Sequence, residues 1–158
     1  MKRALRFLGA WSLLTVSVAL AVSPSPPAPP ANAKCPVCGM FVAKFPKWVG
    51  VIRFGDSSYA WFDGTKDLFT YLLDPAKHDP AGKRMDIAAV YVKDYYTLGT
   101  IDGRSAFYVF GSDVLGPMGK ELVPFAKKDD AEGFLRDHRG KKVLRFDEIT
   151  RTTLKAME

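Results

Sequence analysis

Three sulfur-bearing side chains fall within six residues in Cys35-Pro36-Val37-Cys38-Gly39-Met40. Thiolate and thioether sulfurs are the ligands that a soft monovalent ion such as Cu(I) prefers. Proline and glycine keep the segment out of helix and strand, so a loop can let two or three sulfurs converge. The cysteine pair admits three other readings. A disulfide across so short a loop contributes only about 2 kcal/mol by the loop-closure relation, a weak staple for a domain of this size. Half of a zinc knuckle lacks its complement, because zinc takes four ligands and no second cysteine pair exists. A thiol-redox pair wants a strand before it and a helix start after it to lower a thiol pKa, and neither is evident. Residue chemistry favours copper.

A further sulfur stands apart in Gly116-Pro117-Met118-Gly119. Breakers on both sides keep Met118 out of helix and strand, so its thioether can be presented to a ligand. The alternative is a loop methionine filling a gap in the core, which is the reading for Met85 at a strand start. His138 follows Ala131, Phe134 and Leu135 at helical spacing and reads as a packed, hydrogen-bonded residue. His78 reads as a surface residue of a polar loop, and Asp63, Asp67 and Asp113 as caps or solvated loop residues. No Ser/His/Asp arrangement, phosphate-binding glycine loop or paired-carboxylate signature is recognisable, a carboxylate pair needing the fold to be seen, so the expectation is a protein that is not an enzyme, with thiol-redox chemistry at the cysteine pair as the alternative.

These residues need elements to hold them. Trp48 to Phe54 and Ser58 to Phe62 read as strands joined by Gly55-Asp56-Ser57. Asp63 can cap a helix through about Leu73, with Leu68, Phe69, Leu72 and Leu73 on one face and Pro75 as its stop. Ile87 to Val92 is a β-rich run, and a turn follows at Gly99 or Asp102-Gly103. Ala106 to Phe110 and Leu122 to Phe125 are strands around the loop Gly111 to Lys120. Asp129 can cap a helix to about Arg139, ended by Gly140, and Val143 to Phe146 is the returning strand. Strand, strand, helix, strand therefore occurs twice. The fold class expected is α+β, as two small ββαβ modules packed together: 34–97 with the cysteine loop, 98–150 with Met118, and a tail, 151–158.

With 158 residues, 47% of them hydrophobic, the chain has the length of one domain or two very small ones. Its net charge of +6 is unevenly placed. Removing Lys2, Arg3 and Arg6 from the 23 basic residues leaves 20 against 17 acidic ones, or +3. Those 20 are interleaved with acids, as in Lys127-Lys128-Asp129-Asp130, so no basic patch for nucleic acid forms. Residues 1–33 read as an export signal with a proline-rich spacer: a basic start, an uncharged stretch from Phe7 to Val22, and Ser23-Pro-Ser-Pro-Pro-Ala-Pro-Pro. Cleavage sites compete near Ala19-Leu20-Ala21 and after Ala31-Asn32-Ala33. Uncleaved, the leader would be a membrane tether. Either way the folded part lies outside the cytoplasm, and no acceptable lipobox precedes Cys35.

Several motifs in order carry a resemblance: Cys38-Gly39-Met40-Phe-Val-Ala-Lys, then Trp61-Phe62-Asp63-Gly64, then Phe107 through Gly-Pro-Met118-Gly, then Glu121-Leu-Val-Pro-Phe125 and Val143-Leu-Arg-Phe-Asp147. Together they resemble the NosL family, accessory proteins of nitrous oxide reductase, over most of residues 35 to 150. The resemblance implies two ββαβ-type modules and a periplasmic protein supplying Cu(I) to the reductase's copper centres. The apo-reductase would be the acceptor, and the copper donor is unidentified. Implied ligands are Cys38 and Met40, with Met118 as the third. Cys35 is additional: a ligand, a disulfide partner of Cys38, or neither. Some relatives carry a histidine soon after Gly-Pro-Met-Gly, where this chain has Lys120. The readings from other classes are an extracytoplasmic thiol-disulfide oxidoreductase and a structural zinc or interaction module.

Overall fold

The computed structural model describes residues 25–79, 82 and 86–158. The leader through residue 24 and Met85 lie outside them. Strand β1 (Gly50–Phe54) turns through Ser57, at φ 64°, into β2 (Tyr59–Phe62), pairing Val51 with Trp61 and Ile52 with Ala60. Helix α1 (Thr65–Leu73) follows, and Leu68 seats over Gly50. A single turn, α2 (Pro75–His78), takes up residues expected as loop; proline at a first helical position is favourable. Strand β3 (Ile87–Lys93) returns antiparallel to β1 and completes the first strand-strand-helix-strand unit.

The second unit has β5 (Phe107–Phe110) between β8 (Val123–Phe125) and β9 (Lys142–Arg145), with α3 (Lys128–Asp137) laid against it. The connection expected as a plain loop contains a two-residue-strand hairpin, β6 (Leu115–Gly116) with β7 (Gly119–Lys120). Met118 sits in its turn. The α+β class expected from the sequence is what the structure shows.

Two segments depart from the reading. Thr100–Asp102 forms a strand, β4, on the edge of the first sheet, whose order is β2-β1-β3-β4. It lies beyond residue 97, where the first module was expected to end. Residues 151–158 are not a free tail. They form α4 (Arg151–Lys155), capped by Thr150, and Arg151 donates to the Leu73 carbonyl at 2.8 and 2.6 Å while Met157 is buried.

The alternation of β5 and its neighbours builds the join between the units. Val109, Val123 and Phe125 turn to Ala131 and Phe134 of α3, whereas Tyr108, Leu122 and Leu144 join Ile52, Phe62 and Phe69 in one shared core. Phe69 meets Tyr108 edge-on at 5.2 Å. Asp94, at the end of β3, accepts the Ala126 N–H at 2.7 Å and fastens the first sheet to the end of β8.

Candidate metal centre

The loop from Cys35 to Met40 is closed by main-chain bonds that fix where its sulfurs point. Lys34 and Phe41 bridge, Cys35 N–H donates to the Met40 carbonyl at 2.9 Å, and Gly39 N–H donates back to the Cys35 carbonyl at 2.9 Å. Gly39 takes φ +79°, a conformation that costs a side-chain-bearing residue more. The amides of Val37 and Cys38 point at the Cys35 sulfur, and that of Met40 at Cys38. Amide donors aimed at sulfur favour the thiolate.

Both thiols are free. Cys35 is buried and Cys38 half-buried. Cys35 Sγ donates to Asp67 Oδ2 at 3.3 Å and Cys38 Sγ to Asp63 Oδ1 at 3.3 Å. One ligand atom from each of Cys35, Cys38, Asp63 and Asp67 lies within 4.8 Å of every other. Burial drives both thiols upward, Cys38 to about 12 and Cys35 further, and the neighbouring carboxylates add to the rise. This corrects the expectation for Asp63 and Asp67. Both are buried, and the residue at the α1 N-cap is Gly64 rather than Asp63. Asp113, by contrast, is exposed as expected.

The donor set fits a cation. Two buried carboxylates stand side by side, and no Lys or Arg pairs with either among the described residues. Asp63 Oδ2 is buried without a hydrogen-bond partner. Orphaned buried acceptors are expensive, and a metal ion is one of the few things that satisfies them. A bound cation would displace the thiol protons and offset the carboxylate charge. The sequence argument against zinc, the want of two further ligands, is removed by the aspartates.

The methionines are placed differently. Met40 is half-buried in the cysteine loop, whereas Met118 is 45% exposed at the tip of the β6–β7 hairpin. The hairpin is tied to the helix start that carries the aspartates. Lys66 Nζ donates to the Met118 carbonyl at 2.8 Å, and the Lys66 N–H donates to Glu121 Oε1. Glu121 also accepts its own neighbour Leu122 N–H at 2.9 Å. It thus caps α1 from the other unit. Its carboxylate lies so close to Gly64 that a Cβ there would run into Oε2, which explains glycine at that position. Burial raises the Glu121 pKa to about 8.

The histidines stay outside the cluster. His138 stacks on Phe134 at 4.2 Å and contacts Asp113 at 3.2 Å, the packed and hydrogen-bonded role expected of it; His78 ends α2. What sequence reasoning missed was the carboxylate pair. The available signal was Asp63-x-x-x-Asp67 directly after the buried Trp61-Phe62, a spacing that carries both acids to one side of a helix start.

Fold and cluster together define a small α+β protein of two joined ββαβ units with a cluster of two thiols and two carboxylates that could hold a metal ion. A family model described as NosL matches residues 26–154, and the chain belongs to the NosL family. A copper-binding lipoprotein NosL from Stutzerimonas stutzeri is 31% identical over 175 residues, covering 96% of this chain and 85% of that one. The crystal structure of the copper chaperone NosL from Shewanella denitrificans superposes with a TM-score of 0.69 at 32% identity, covering 81% of this chain and 97% of that one. These relatives are named for binding and carrying copper, in agreement with a carrier rather than an enzyme.

Proposed function

We propose that this chain is an exported Cu(I) carrier that supplies copper to apo nitrous oxide reductase in the periplasm. Cys38, Met40 and Met118 are the proposed ligands, with Cys35 beside them. The observation that carries the reading is the largely buried cluster of two free thiols and two carboxylates, with no Lys or Arg paired to it among the described residues. It is supported by relatives named as a copper-binding lipoprotein and a copper chaperone. The lipoprotein name also supports export and membrane association, for which the apolar leader would be this chain's tether. A Cu(I) ion held by two or three sulfurs is bound tightly yet keeps coordination positions open, so an acceptor's ligands can enter before the donor's leave. The oxidoreductase reading loses ground here. Reactive thiols have depressed pKa values, and both of these are raised.

The test is an anaerobic Cu(I) competition titration of the reduced protein, with zinc as the control metal. Tight one-to-one Cu(I) binding is expected, abolished by Cys38→Ser and weakened less by Met118→Leu. Wild-type affinity in Cys38→Ser would remove that residue from the site. A second reading, a divalent-ion site, is favoured by Asp63 and Asp67, since carboxylates suit harder ions than Cu(I) does. Preference for zinc in the same titration would select it.

A further inference from the structure

The first sheet has a second face, turned away from α1. Antiparallel pairing sets Trp61, Val51 and Tyr91 in one cross-strand row on that side. A sheet covered by a helix on one face usually turns polar side chains to the other. This row is apolar, yet Val51 is 3%, Tyr91 6% and Trp61 9% exposed. The N-terminal proline segment shares in covering it. Pro26 to Pro29 on one side and Ala43, Pro46 and Val49 on the other line a partly open cavity of about 400 Å³ above the row.

The way this segment lies on the sheet is periodic. Pro26 and Pro29 are half-buried, whereas Ser25, Pro27, Ala28 and Pro30 are exposed. Inward positions three apart are the repeat of a polyproline II helix, which completes a turn in three residues. Such chains are stiff before they bind, so docking them between aromatic rings costs little conformational entropy. The segment then joins the body through fixed main-chain contacts. Ala33 N–H donates to the Pro30 carbonyl at 2.9 Å, and the Ala33 carbonyl accepts from Val42 N–H at 3.0 Å.

We propose that the outer face of the first sheet is a polyproline-binding groove whose occupant is the chain's own residues 25–30, retained in the mature protein. The segment is therefore part of the fold and not a free spacer. Processing after Ala33 would strip the groove of its occupant and break the contact to Val42. Processing near Ala19-Leu20-Ala21 leaves both intact. The inference rests on the sheet and the proline segment alone, and it stands whichever metal the cysteine loop takes.

Two measurements on the full chain, expressed with its leader and exported, test it. The intact mass of the exported protein is expected to correspond to a chain starting at or before Ser25; a start at Lys34 would overturn retention. For the groove, Trp11→Phe with Trp48→Phe leaves Trp61 as the one emitting indole. In that background Pro26→Ser with Pro29→Ser is expected to raise acrylamide quenching of Trp61. Pro30→Ser, at an exposed position outside the cavity lining, is expected to leave it unchanged. Equal quenching in the two variants would overturn the groove.

Discussion

Asp63 brings a charge and an unpartnered oxygen into the interior beside a thiol, a combination that an apo protein would be more stable without. An orphaned buried acceptor costs about 1–3 kcal/mol. Asp63→Asn removes the charge but places an amide donor where that oxygen lies, so it is expected to raise the apo protein's resistance to denaturant by less than that amount. The same substitution is expected to weaken zinc more than Cu(I), because amide oxygen replaces a hard anionic ligand; paired competition titrations check it. Metal binding is also expected to release protons, since both thiols are held protonated at neutral pH by burial. Affinity should then rise with pH, and titration in weakly buffered solution should record the acidification. At this scale the two cysteines of the cluster were legible because their signal is local: a pair three residues apart needs no fold to be noticed. The aspartates were not. They stand 25 and 32 residues from the thiols they touch, and only chain closure brings them there.

At the scale of elements, the start of α1 is held by the other half of the chain. Glu121 accepts the Lys66 amide, so a helix terminus that its own N-cap residue leaves unsatisfied is capped across 55 residues. Glu121→Ala is expected to destabilise the protein by roughly 1–3 kcal/mol, measured by urea unfolding, because the Lys66 and Leu122 amides lose their acceptor. Its folded-state pKa of about 8 lies above the ordinary carboxylate value of 4.5. The folded state then holds a proton that the unfolded state has released. Glu121's contribution is complete below about pH 4.5 and is lost as pH rises towards 8. Glu121→Gln should remove that decline from the stability profile. Six strands were readable from β-rich runs and fell where expected, whereas the short β4, β6 and β7 were not. The caps were not, since Asp63 and Asp129 were natural candidates. Asp129 lies inside the first turn of α3, behind the N-cap Lys127. Gly140, expected as a helix stop, follows Arg139 at φ 54°, which takes the left-handed conformation. Its own requirement is steric, as a Cβ would lie 2.7 Å from Val109.

For the molecule as a whole, the two units share one core, with Tyr108, Leu122 and Leu144 packed among side chains of the first. A single cooperative transition is expected, with tryptophan emission and far-UV dichroism coincident through denaturation. Asp94 is a principal fastener. Burial pushes its carboxyl up, but donors from Thr97, Ala126 and Tyr96 outweigh that and hold it below the usual range. Its contribution is present at neutral pH and is lost as acid protonates it. Asp94→Ala should cost about 1.5–3 kcal/mol, the scale of hydrogen bonds to a charged group, with the transition still single. Shared packing of this kind escapes a linear reading, which sees each unit's pattern but not which face of β5 meets which neighbour.

The edge strand Thr100–Asp102 gives this arrangement a consequence for heredity. A recombination joint placed at residue 97, where the repeated pattern invites it, would hand the first unit on without its fourth strand. The main chain of β3 would then lie open beside Tyr91 and Val92, and such edges recruit strands from other molecules. Joints after Gly103, whose amide bonds the Val90 carbonyl at 2.8 Å, would transmit the sheet whole. The inheritable half of this molecule is longer than its visible repeat.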